Sequence, residues 1–81
     1  MNQIGSQIVV CDGSFVYIGN CEVDEKWLFI HGARNIRRWG TKAGLGELRN
    51  GPTKETISDL SGEVLVPLNR VNHFIKVVKG W

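Results

Sequence analysis

Nowhere in the chain do eighteen apolar residues run together, so no helical membrane span is expected. The start lacks a basic segment followed by an apolar one, so no signal peptide is expected either. Two cysteines, Cys11 and Cys21, are too few for a disulfide framework and lack zinc spacing. That scarcity points to a reduced, cytoplasmic protein. Two histidines stand far apart and the carboxylates do not cluster, so no metal or cofactor is expected. Charge is missing by sign as well. Residues 1–25 hold no Lys or Arg, and residues 26–46 hold no Asp or Glu.

What is present is a chain of 81 residues, enough for one domain with a modest core. A homo-oligomer would add the stability that so small a core lacks. Lys26, Arg34, Arg37, Arg38 and Lys42 fall in the acid-free segment, while Asp12, Glu22, Asp24 and Glu25 precede it. That asymmetry favours an anionic partner unless the acidic strands lie beside the basic one and neutralise it.

Short β-branched runs set the expected elements. Residues 1–6 are polar and are read as a flexible terminus. Residues 7–11 form a strand, and Asp12-Gly13-Ser14 a turn. A second strand covers residues 15–23, with Phe15, Tyr17, Cys21 and Val23 on one face and Val16 and Ile18 on the other. Gly19 marks a bend or close backbone approach within it. Asp24-Glu25-Lys26 connects to a third strand from Trp27 to about Arg37. Trp27 is expected in the core, and alternation breaks after Gly32, which predicts a bulge. Thr41 is placed to cap a helical turn over residues 43–48. Residues 54–60 and 63–67 read as a hairpin across Ser61-Gly62. A helical turn from Pro67 and a last strand over residues 71–79 close the chain, with Val71, Ile75 and Val77 inward. The sum is a mostly β fold with minor helix. It is a small SH3-like or Sm-like barrel of five to six short antiparallel strands with one or two short helical turns.

Several residues carry a resemblance. They are Ile8-Val9-Val10, Gly19, Ala33-Arg34 with Ile36 and Trp39, Leu45 with Glu47-Leu48, Gly51-Pro52, Gly62-Glu63-Val64 and Val66-Pro67. Across most of residues 7–79 the chain resembles a family of small uncharacterised phage and prophage proteins, known as a domain of unknown function. The resemblance implies a β-rich fold and a viral or prophage context. It implies no reaction.

Catalysis is not expected. His31 and His73 lie in strands among apolar neighbours, where a ring bonded to a backbone carbonyl is the ordinary outcome. Cys11 and Cys21 read as core. The segment Gly40-Thr41-Lys42-Ala43-Gly44 lacks the Gly-Lys-Ser/Thr order of a phosphate loop, although its amides retain the geometry to hold one anion. The binding signal is Arg34, Arg37, Arg38, Trp39 and Lys42, which combine guanidinium forks, a point charge and a flat ring. The leading expectation is a non-enzymatic phage accessory protein in the host cytoplasm. It would bind, and so block or sequester, a host defence protein or a nucleotide signal. The alternatives are a nucleic-acid-binding module and a structural or assembly component. Trp81 is read as disordered or docked on a neighbouring subunit.

Overall fold

The computed structural model describes residues 2–81. Five strands make one open antiparallel sheet: β1 (Asn2–Cys11), β2 (Val16–Val23), β3 (Trp27–Arg38), β4 (Ile57–Pro67) and β5 (Val71–Lys76). Their order across the sheet is β4-β3-β2-β1-β5, so the last strand returns to lie against the first. A 3-10 turn (Leu68–Arg70) leads into β5, as the sequence predicts after Pro67. β4 and β5 do not pair, so the sheet stays open along that seam. β4 still curls toward β1, because Val64–Pro67 and Cys11 line one groove.

Alternation explains how so thin a molecule buries both faces of its sheet. Ile8 and Val9 are neighbours on opposite faces of β1, and both are fully buried. Val9 joins Cys21, Leu28, Ile30, Ala33 and Val66 in one cluster. Ile8 joins Val16, Ile18 and Ile36 in the other, which is covered by Leu48 from a 3-10 segment (Leu45–Asn50). The faces assigned to β2 are those observed: Tyr17, Cys21 and Val23 pack on the first cluster, Val16 and Ile18 on the second. The bulge after Gly32 is present as a register shift between Ile30 and Ala33, and it returns Ala33 to the face of Ile30. Gly19 is a point of close approach. A Cβ there would lie 2.5 Å from Ile30 Cγ2 and 3.0 Å from the His31 carbonyl oxygen.

Four expectations are corrected. Residues 57–67 are one strand and not a hairpin, because β4 pairs with β3 along its length from Ile57↔Arg38 to Pro67↔Trp27. Gly62, at φ +76, sits opposite Ala33 at an irregularity of that ladder instead of reversing the chain. The first strand begins at Asn2, where pairing with Val23 extends it through residues read as a flexible end. Thr41 caps nothing: the 3-10 segment starts after Gly44 without a side-chain cap. Trp27 is not core but 40% exposed, at a cavity of about 420 Å³ beside Lys26 and Leu68.

Candidate functional site

The five residues singled out by charge and aromaticity are all exposed, and the structure separates them by what they touch. Arg37 pairs with Asp59. Arg38 Nη2 lies 3.3 Å from Glu55 Oε2. These acids come from β4 and the loop before it, not from the N-terminal strands that the charge asymmetry offered as the alternative to an anionic partner. Both partners of each pair are more than half exposed, so each pair adds little stability but cancels local charge.

Arg34 differs. Its Nε donates to Ser58 Oγ at 3.0 Å, which fixes the fork, and no carboxylate among the described residues pairs with it. Its side chain walls two adjoining clefts of about 180 and 590 Å³. The second wall common to both is Trp81.

Trp81 is neither disordered nor in need of a neighbouring subunit. Its indole N–H donates to the Leu48 carbonyl at 2.7 Å, and the amides of Val78 and Lys79 donate to the Arg49 carbonyl. Backbone meets backbone where Gly80 crosses Gly51. A Cβ on Gly80 would lie 2.7 Å from Gly51 Cα, and its φ of +93 suits glycine alone. The sequence carried this signal in two glycines placed outside any strand, but their pairing across the fold was not legible.

Trp39 and Lys42 line neither cleft. Trp39 is 44% exposed, with its carbonyl held by the Thr56 hydroxyl. The anion-holding capacity of the glycine-rich amides is taken up by the chain itself. Glu47 Oε2 accepts from the amides of Lys42 at 3.1 Å and Ala43 at 2.9 Å.

The remaining reactive groups are engaged elsewhere. Cys11 and Cys21 are buried, and burial pushes the Cys21 thiol up to about 11. Neither histidine bonds a backbone carbonyl, contrary to expectation. His73 is exposed beside Asn72. His31 bridges three strands, with Nδ1 2.5 Å from Glu63 Oε2 and Nε2 3.0 Å from Glu22 Oε1. The two carboxylates hold its pKa above the usual 6.5, Glu63 more than Glu22. Among the described residues no cluster of His, Cys, Asp or Glu is arranged to hold a metal. Comparison with protein-family models, with curated proteins and with solved structures finds no match for this chain.

Proposed function

We propose that this is a non-enzymatic phage or prophage accessory protein that works by stoichiometric binding. It occupies a host factor in the host cytoplasm, and so blocks or sequesters it, through the exposed face where Arg34 meets Trp81. The viral context rests on the resemblance across residues 7–79.

The observation that carries the binding reading is the meeting of an unneutralised guanidinium, Arg34, with a half-exposed indole, Trp81, at two clefts that share both. Arg and Trp are the residue types that dominate binding hot spots. Stoichiometric binding is favoured over turnover by the state of the titratable groups: the Cys21 thiol stays protonated, and both ring nitrogens of His31 are occupied. An extended nucleic-acid track is less favoured, because Asp59 and Glu55 already neutralise Arg37 and Arg38.

The test is capture from host lysate on immobilised wild-type protein and on Arg34→Ala, with Arg37→Ala as the control. A host component retained at a fixed molar ratio by wild type and by the control, and released by Arg34→Ala, is the expected outcome. Equal retention by Arg34→Ala, at an unchanged unfolding midpoint, removes this face from the function.

A further inference from the structure

We infer that the Arg34–Trp81 face is a binding site for a nucleoside phosphate, with the guanidinium taking the phosphate and the indole face taking the base. This rests on the reading that the Arg34–Trp81 face binds a host factor, and it narrows that factor to a nucleotide.

Three features converge. First, Arg34 is aimed but not consumed. Ser58 holds Nε, and the two terminal nitrogens have no protein partner among the described residues. A fork in that state presents parallel N–H donors matched to two phosphate oxygens. Second, Trp81 is satisfied at its polar atom, and the residue is 38% exposed where it lines both clefts. Because Leu48 accepts the indole N–H, the ring demands no further hydrogen bond from a ligand. Such a surface suits a flat heterocycle, and stacking tolerates any base. The Gly51–Gly80 crossing fixes where the ring stands, so its ordering does not have to be supplied by the ligand. Third, the space is suitable. The larger cleft is a shallow, open groove of about 590 Å³, room for a nucleotide to lie along the surface. Its wall mixes Ile57 and Pro52 with the hydroxyl-bearing Thr53, Thr56 and Ser58. The smaller cleft adds Ser6 and Asn20 on the other side of Arg34. One cation, one aromatic ring and an open groove bearing hydroxyls fit a phosphate, a base and a sugar.

The same chemistry can arrive free or at the end of a strand, and titration calorimetry separates the two. The probes are AMP, GMP, CMP and UMP, a 5′-phosphorylated single-stranded tetranucleotide, adenosine and inorganic phosphate. At least one mononucleotide is expected to bind wild type more tightly than adenosine or phosphate alone. Arg34→Ala should weaken that binding roughly tenfold to a hundredfold, the scale of a lost charge-assisted hydrogen bond. Arg34→Lys should recover only part of it. Trp81→Ala should weaken binding roughly tenfold, and Trp81→Phe should restore most of that loss by keeping a ring. Arg37→Ala should stay within about twofold, because its charge is already paired. Arg34 is exposed and outside the core, so its variants fold and decide the matter even if Trp81→Ala does not. Binding of the tetranucleotide without any mononucleotide supports the site and assigns its ligand to strand ends. The inference is overturned if neither binds wild type at millimolar concentration, or if Arg34→Ala binds as well as wild type. If it is overturned while Arg34→Ala still releases the host component, the broader binding reading stands; if that component also stays bound, both fall.

Discussion

His31 joins β2, β3 and β4 through Glu22 and Glu63, and at the residue scale it has the clearest pH signature in the molecule. Glu63 raises its pKa most, through a hydrogen bond; partial burial opposes this, and the charge of Glu63 and the contact with Glu22 add to it. The folded value therefore lies above the unfolded value near 6.5. A group shifted upward contributes stability that is complete below the unfolded value and vanishes as pH rises through the folded one. The protein should unfold at a higher temperature near pH 6 than near pH 8. His31→Gln should reduce that difference while leaving the midpoint at pH 8 nearly unchanged. Midpoints from circular dichroism at the two pH values check it, and an identical difference in the variant would show that the bridge does not couple to folding.

At the scale of elements, the 3-10 segment Leu45–Asn50 does more than its length suggests. It covers the second core face with Leu48, accepts the Trp81 indole at the Leu48 carbonyl and anchors the chain end through Arg49. Leu48→Ala should therefore cost about 2–5 kcal/mol, because a fully buried leucine leaves a cavity among Ile8, Ile18 and Ile36. Leu60→Ala on the exposed side of β4, where Leu60 is 71% exposed, should stay within about 0.5 kcal/mol. Urea denaturation of both variants checks the contrast, and comparable losses would mean that the segment does not cover the core. These elements also mark what the sequence made legible. Period-two patterning placed β2 and both its faces correctly, because burial on two sides leaves apolar residues at every turn of the alternation. It misread β4, because Ser61-Gly62 has turn chemistry whether the chain reverses or only bulges. Only the length of β3, a partner long enough to pair through Gly62, decides between them. The site was half legible on the same grounds. Charge and aromatic content exposed Arg34, but its ion-pair status and the return of Trp81 depend on contacts made by residues distant in sequence. The bridge of His31 to Glu63 was hidden for the reason that β4 was misread.

Taken as a whole, the molecule is compact despite its open seam: the radius of gyration is 11.8 Å, where about 11.7 Å is typical for this length. No helix among the described residues is long and apolar enough to cross a membrane. Of the five bases in the basic segment, two have carboxylate partners among the described residues. Asp59 and Glu55 neutralise Arg37 and Arg38, and the Glu47 carboxylate sits on the main chain at Lys42. If one guanidinium carries the phosphate contact, few counterions are released on binding. The logarithm of the association constant should then fall against the logarithm of salt concentration with a slope of about −1 or shallower. A protein that used Arg34, Arg37, Arg38 and Lys42 together on a nucleic-acid backbone would give a slope near −3, at about −0.7 for each single-strand phosphate contact. Calorimetric titration of the best mononucleotide and of the tetranucleotide between about 50 and 200 mM salt measures the difference. A shallow slope that Arg34→Ala abolishes assigns binding to the single cation. A steep slope that survives it assigns binding to the whole basic segment, with the ion pairs opening to meet the ligand.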